Sequence, residues 1–433
     1  LAATEPMSSA PGTQISLHGS GFEPTAAANT VTFTKFGQTE GTPATVDSVR
    51  SSTGMRVNVP EGLEGGQYKI SVQRSSDGAV DTLVSLFAVI TGNENAKFVS
   101  IGAGIQSVQN GSSEWGDYDG DGDLDVVVTG SRDGSGGSTF TGLYRNDGGE
   151  FNIVSNLSSG VRNGSSSWGD YDGDGDLDLV ITGWDGFEPR AVLYRNDEGT
   201  FSEVSAGLTG VYHSTSDWVD YDGDGDLDLF IAGDRYAGAP ELTLLYENDG
   251  GVFTEVPTGI PGVYYSTSDW GDYDGDGDLD LVLTGSGGHG LYRNDEGAFT
   301  RVSADLATDV NSNAQLGGAG SSAWGDYDGD GDLDLMITGI SGSGAVSKLY
   351  RNDGGAFAEV STGFSGIEHG TSDWGDYDGD GDLDLVITGR GGHGLYRNDG
   401  GAFTEVTSGL NTGVEISSSA WGDYDGDGDL DLI

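Results

Sequence analysis

The stretch Trp115–Gly130, WGDYDGDGDLDVVVTG, returns almost letter for letter from Trp168, Trp218, Trp270, Trp324, Trp374 and Trp421. Seven of the eight tryptophans stand in it. A unit that recurs at a period of about 50 residues makes the chain an array of like modules, each burying its apolar surface against its neighbours.

Within one copy, Asp117, Asp119 and Asp121 alternate with Tyr118 and Gly120, and Gly122, Asp123, Leu124 and Asp125 follow. Calcium takes roughly six to eight hard oxygens from a flexible loop. Carboxylates at loop positions 1, 3 and 5 converge when the chain coils tightly, and Gly122 at position 6 permits the sharp turn. Asp123 at position 7 is expected to offer its main-chain carbonyl. Asp125 at position 9 is expected to close the site, and Leu124 to anchor the loop in the core. An EF-hand loop instead closes with Glu at position 12 between two helices. Here a short apolar run, VVVTG, follows directly and reads as a buried strand.

The expected metal residues are Asp117, Asp119, Asp121, Asp123 and Asp125 in the first loop, and Asp170, Asp172, Asp174, Asp176 and Asp178 in the second. Asp220, Asp222, Asp224, Asp226 and Asp228 form the third set, and Asp272, Asp274, Asp276, Asp278 and Asp280 the fourth. Asp326, Asp328, Asp330, Asp332 and Asp334 follow, then Asp376, Asp378, Asp380, Asp382 and Asp384, then Asp423, Asp425, Asp427, Asp429 and Asp431. About seven Ca²⁺ ions are expected, one per loop. Solubilising charge is the simpler reading of these acids, but charge alone does not need Gly at position 6 seven times over. Mg²⁺ fits less well, because it demands strict octahedral geometry and keeps its waters.

The chain carries 71 acids against 18 bases, a net charge of −53. The loops hold 5 × 7 = 35 of those acids, and seven Ca²⁺ would leave about −39 (−53 + 14). That balance argues against nucleic acid and against anionic membrane surfaces as partners. There is no Cys, hence no disulfide framework. No apolar run is long enough to insert in a membrane. Weak calcium modules suit the outside of a cell, so a secreted or cell-surface location is expected. The start at Leu1 agrees with removal of a signal peptide.

Residues 1–90 lack the Asp loop. PGTQISLHGSGF (Pro11–Phe22), NTVTFTKFG (Asn29–Gly37), MRVNVPEG (Met55–Gly62), GGQYKISVQ (Gly66–Gln73) and TLVSLFAVI (Thr82–Ile90) read as short strands between turns. The stretch resembles an IPT/TIG domain, which implies an immunoglobulin-like β-sandwich acting as a spacer or presenting module. Residues 91–97 read as a linker.

From residue 98 on, the motif Trp residues lie 53, 50, 52, 54, 50 and 47 positions apart. Each unit adds LYRND (LYEND at Leu245) and a run such as FSEV, giving four strands. Four-stranded units of this length stack as propeller blades, with the Trp filling the wedge between them. Residues 98–433 resemble the FG-GAP/VCBS repeat family, the propeller type of integrin α-subunits. The resemblance implies Ca²⁺ in the hairpin between the first two strands of each blade, with side-chain ligands at positions 1, 3, 5 and 9. The expected fold is therefore all-β, a sandwich followed by a seven-bladed β-propeller. The Arg of LYRND is expected to pair with a nearby carboxylate, although Glu247 replaces it once.

The chain supplies only two strands of the last unit before Ile433, and FVSIGAGI (Phe98–Ile105) is expected to close that blade from the other end. Truncation of the last blade is the first expectation, and the alternatives are a last blade of three strands and a strand donated by another chain.

The five histidines show no metal-ligand spacing, and there is no GxSxG or HExxH motif, so no enzyme is expected. The leading expectation is a calcium-binding structural or adhesion protein with partners among surface glycans or proteins. It includes association with itself into a filament or layer. The alternative is a carbohydrate-binding propeller using aromatics that differ between blades. Those are Trp184 with Phe187 and Arg190, Tyr212 with His213, Tyr236, and Tyr264 with Tyr265.

Overall fold

The computed structural model describes residues 101–433 apart from 102, 133–137, 155–156, 158–159, 237, 303–305, 307–319, 342–343, 407–417 and 427–428. It also describes seven strands between residues 8 and 89. The expected linker and Asp427 lie outside the described residues.

The N-terminal strands are β1 (Ser8–Ser9), β2 (Gln14–His18), β3 (Asn29–Lys35), β4 (Thr42–Ser51), β5 (Gly54–Asn58), β6 (Gly66–Arg74) and β7 (Val80–Val89). They pair in the order β1-β7-β6-β3-β4-β5-β2. β4 pairs with β3 through Ala44 and with β5 from Thr45 onward, so one strand joins two halves of a sandwich. Its sequence, TPATVDSVRS, is polar and opens on Thr-Pro, which hid it from the alternation that revealed the others.

The first blade is β8 (Ser113–Gly116), β9 (Asp125–Ser131), β10 (Thr139–Asp147) and β11 (Glu150–Val154), an antiparallel meander. β9 is buried along its whole length. It lies inside its sheet with a neighbouring blade on each face, so its apolar run is continuous instead of alternating. β11 is the outer edge and alternates half-buried with exposed residues. Five further blades repeat this order, and the third adds two short strands, Val263–Tyr264 and Ser286–Gly287, that reach towards the fourth.

The seventh unit is a two-stranded hairpin, Trp421–Gly422 with Asp431–Leu432. The expected seven-bladed ring is thus six complete blades and one partial blade among the described residues. The ring still closes. Trp115 Nε1 donates to the Ala420 carbonyl (3.2 Å), and the Trp115 ring stacks on Tyr424 at 6.4 Å.

A closing strand over 98–105 is not formed at Ile101 or Ala103–Ile105, and residues 98–100 lie outside the described set. Among the described residues the seventh hairpin has no third strand with which a fourth would pair. The stretch nevertheless packs as its counterpart between other blades does. Ile105 packs into the first blade's core, and the Gln106 N–H donates to Tyr144 Oη (3.0 Å). Between the second and third blades, Leu208 and the Thr209 N–H to Tyr246 Oη (2.9 Å) do the same.

The motif Trp residues fill the wedges as expected. Trp168 lies on Tyr118 of the preceding blade (6.3 Å, 8°), Trp218 on Tyr171, Trp324 on Tyr273 and Trp374 on Tyr327. The Gly after each Trp makes room, since a Cβ on Gly116 would meet the Trp168 ring at 2.9 Å. The third blade has Val219 there, and Trp270 stands on edge, at 79° to Phe230.

Candidate metal centres

Each acidic loop hangs between the inner strand and the buried second strand, so its two ends are fixed by the sheet. Gly122 adopts φ +94°, and its equivalents Gly175, Gly225, Gly277, Gly331 and Gly381 lie at 98–99°. The turn at position 6 therefore needs glycine.

The tight coil gives each carboxylate a separate task. Asp117 at position 1 accepts the Asp121 N–H (3.1 Å) and the Gly122 N–H (3.0 Å). Asp121 at position 5 accepts the Asp123 N–H (3.0 Å). Asp125 at position 9 is fully buried and accepts the Tyr118 N–H (3.1 Å) and the Asn146 N–H (2.8 Å). Burial pushes its carboxyl up to about 7 despite those two donors. Burial likewise raises the Asp119 carboxyl, and Asp121 beside it adds to the shift.

One carboxylate oxygen from each of Asp117, Asp119 and Asp125 lies within 4.8 Å of the others. Asp170, Asp172 and Asp178 converge in the same way, as do Asp220, Asp222 and Asp228, and Asp326, Asp328 and Asp334. In the fourth loop the converging set is Asp272, Asp274 and Asp276. Oxygens around a shared calcium ion stand up to about 5 Å apart, twice the usual ligand distance, so this spacing fits. In five loops one of the converging acids has a buried oxygen without a hydrogen-bond partner: Asp119, Asp172, Asp274 and Asp328 at position 3, and Asp220 at position 1. Three acids facing one point with an unpartnered oxygen among them are a donor set for a hard cation.

Position 7 behaves differently. The Asp123 carboxylate turns away and accepts the Gly148 N–H (2.7 Å) of the turn between the third and fourth strands. Asp176, Asp226, Asp278, Asp332 and Asp382 hold the same turn in their blades. In the seventh loop Asp423, Asp425, Asp429 and Asp431 are described, and the Tyr424 N–H donates to Asp431 (3.3 Å) as at the other ninth positions.

The LYRND arginines pair with carboxylates, chiefly the Asp of their own motif: Arg293 with Asp295 (2.7 Å), Arg351 with Asp353 (2.7 Å), Arg397 with Asp399 (3.0 Å). Arg195 also reaches Asp172 (3.1 Å) and Asp174 (3.0 Å) of its loop. Such exposed pairs contribute little to stability.

The residue that sequence reasoning missed is the Asn of LYRND. Asn196, fully buried, donates Nδ2 to the Leu177 carbonyl of its own loop (3.0 Å) and to the Tyr118 carbonyl of the preceding loop (2.7 Å). Its backbone N–H holds Asp178. Each complete blade repeats this clasp, which ties the floor of one loop to its neighbour. The unbroken recurrence of Asn beside a varying Arg or Glu was the available signal.

Trp184, Tyr212 and Tyr264 come together at the opposite ends of the strands from these loops. Trp184 meets Tyr212 (5.4 Å) and Tyr236 (5.3 Å), Tyr212 meets His213 (4.4 Å), His213 meets Tyr265 (3.9 Å), and Tyr265 meets Tyr264 (5.5 Å). Burial and the neighbouring Arg162 push the His213 imidazole down to about 4.

Interlocked blades with an acidic loop at the base of each inner hairpin define a repeat propeller of a particular kind. The chain belongs to the FG-GAP-like repeat family, whose model matches residues 117–181, 170–231, 220–283, 272–337, 326–387 and 376–433. The IPT/TIG domain model matches residues 2–87. No curated protein matches the chain significantly. Among solved structures, a structural genomics protein of unknown function from Bacteroides thetaiotaomicron VPI-5482 aligns at 13% identity and a TM-score of 0.33, covering 90% of this chain and 94% of that one. A DUF4784 family protein from Bacteroides caccae ATCC 43185 aligns at 12% identity and a TM-score of 0.24, covering 96% of each. Likeness at that level bears no weight here. Among the described residues, no helix is long and apolar enough to cross a membrane.

Proposed function

We propose that this chain is a non-enzymatic, calcium-stabilised adhesion or surface-structure protein acting outside the cell. FG-GAP repeats joined to a TIG domain fit an adhesion-type module. The observation that carries the calcium reading is the convergence of three acids in one loop after another, each next to the Asn–Tyr clasp that joins two blades. An ion held at positions 1, 3 and 9, with position 5 beside them, would neutralise carboxylates that otherwise repel and would fix the loop that the clasp grips. The repeated acids have like surroundings in every blade, which suits a structural role better than a catalytic one.

The size of the effect follows from mass action. At about 2 mM Ca²⁺, a site with a dissociation constant of roughly 10⁻⁴–10⁻³ M stabilises the folded state by about 0.6–1.8 kcal/mol. Six or seven such sites together rival the whole stability of an ordinary domain. The test is thermal unfolding with millimolar calcium and again after chelation, with light scattering recorded alongside. A large fall in the midpoint on chelation is expected. An unchanged midpoint would overturn the calcium reading. Particles that disperse on chelation would extend the reading to self-assembly.

A further inference from the structure

The aromatic patch at the ends of the strands away from the acidic loops is a built surface. Tyr212 and His213 are consecutive, so in a regular strand their rings would point to opposite faces. A register shift between Tyr212 and Thr215, with His213 at φ +47°, brings both rings to one side. Tyr265, at φ +50°, does the same beside Tyr264. Asn110, Asn163 and His369 take the same left-handed conformation at the equivalent place in other blades, so the turn belongs to the blade, and what is particular here is that it carries aromatic rings. Next to Trp184, a turn held by Asp185, whose carboxylate accepts the Phe187 N–H (2.7 Å) and the Glu188 N–H (2.8 Å), presents Phe187 at 89% exposure. Tyr236 is 63% exposed. These are two of only four large exposed hydrophobic side chains among the described residues.

The rings follow one another at 3.9–5.5 Å between centroids and are tilted by 23–62°, so they form a continuous, stepped aromatic surface and not a cage around a gap. A quaternary ammonium group needs rings arranged about an empty centre. A platform suits the flat C–H face of a pyranose ring. Hydroxyl-bonding groups flank it: Asp234 bonds Tyr212, and Asn163 Nδ2 lies 3.2 Å from His213 Nε2. With the Asn163 amide as the donor the imidazole proton sits on Nδ1, and neither His213 Nδ1 nor Arg162 Nε has a hydrogen-bond partner among the described residues. Unpaired buried donors are costly, and an acceptor oxygen would relieve them. The chain's net charge of −53 disfavours sulfated or uronic sugars.

We infer that Trp184, Tyr212, His213, Tyr236, Tyr264 and Tyr265 form a binding platform for a neutral saccharide. This gives the adhesion reading above its partner class and rests on it. The strands between platform and loops span about 20 Å, so the saccharide is not bridged by the loop ions.

Trp184 is the one Trp outside the seven motifs, so its fluorescence reports on the platform. The experiment titrates the full chain in calcium with maltotetraose, cellotetraose, mannotetraose and galactotetraose, and with choline chloride as the competing chemistry. At least one tetrasaccharide is expected to shift the emission, with affinity falling at least about tenfold in Tyr236→Ala and Phe187→Ala and the shift vanishing in Trp184→Phe. Tyr236 and Phe187 are exposed, so their variants are expected to melt like the unaltered chain. Silence from all four sugars, binding undiminished in Tyr236→Ala, or binding of choline alone would each overturn the inference. A calcium-dependent melt with no sugar binding leaves the adhesion reading standing, and sugar binding with a calcium-independent melt does the reverse.

Discussion

Asn146 donates its side-chain amide to the Tyr424 carbonyl across 2.7 Å, joining residues 278 positions apart. The bond ties the first blade to the seventh and so seals the ring. The same side chain, of a fully buried residue, donates to the Leu124 carbonyl (3.0 Å) and accepts the Gly149 N–H (2.7 Å). Replacing it with Ala strands two carbonyls and one N–H. A loss of about 2–4 kcal/mol is expected in urea unfolding. Asn146→Asp is expected to cost more, because it removes the donors and adds an acid beside Asp125. A cost within the range of a surface substitution would mean that the seam does not depend on this clasp.

The Gly after each motif Trp is expected to be intolerant of a side chain. A Cβ on Gly169 would meet the Trp218 ring at 2.6 Å, closer than real Cβ contacts come, so the ring or its blade would have to shift. Gly169→Ala should therefore lower stability by about 1–3 kcal/mol. The third blade offers the converse. Val219 is buried, and Trp270 stands edge-on to Phe230 and Phe299. Val219→Gly should let Trp270 lie flat against Tyr221, visible as a changed near-ultraviolet dichroism. Lost burial and added chain entropy outweigh the stacking gained, for a net loss of about 1–3 kcal/mol. An unaltered spectrum would show that Val219 is not what turns the ring.

Glu114 makes stability fall as pH rises. It lies on the first blade's inner strand, facing the Trp168 N–H and Asp217, with Oε2 buried and unpartnered. Burial, then Asp217, raise its carboxyl to about 8. Between an unfolded value near 4.5 and that folded value, the folded state holds the extra proton. Stability from this group is therefore present at acid pH and lost towards pH 8. Glu114→Gln in saturating calcium should stabilise the chain at pH 8 by on the order of a few kcal/mol and leave it nearly unchanged at pH 4.5. Equal melting of variant and parent across that range would remove Glu114 as the cause.

The sequence disclosed those features that repetition makes visible. Position 6 glycine, the buried run after position 9 and the Trp wedge each recur with one physical purpose, and the structure places them so. Asn146 and its equivalents recur just as faithfully, yet an Asn has many uses, and only the fold shows the Tyr carbonyl that it meets. β4 was hidden because its strand character comes from pairing with β3 and β5, not from apolar alternation. The aromatic patch was named residue by residue, but nothing in the order of letters reveals the register shift that turns Tyr212 and His213 to one side.

Within a loop, positions 3 and 7 carry the same residue and are expected to answer mutation in opposite ways. Asp119 has a buried oxygen without a partner and converges with Asp117 and Asp125, whereas the Asp123 carboxylate is spent on the Gly148 N–H. Asp119→Asn should remove one equivalent of calcium in equilibrium dialysis, or weaken that site at least about tenfold. Without calcium the same variant should be no less stable than the parent, because one repelling charge is gone. Asp123→Asn should keep the full calcium count and lose about 1 kcal/mol with or without the ion, through a weaker bond to the turn. If Asp123→Asn loses the ion and Asp119→Asn keeps it, the assignment of positions within the loop is wrong, and the converging acids serve something other than the metal.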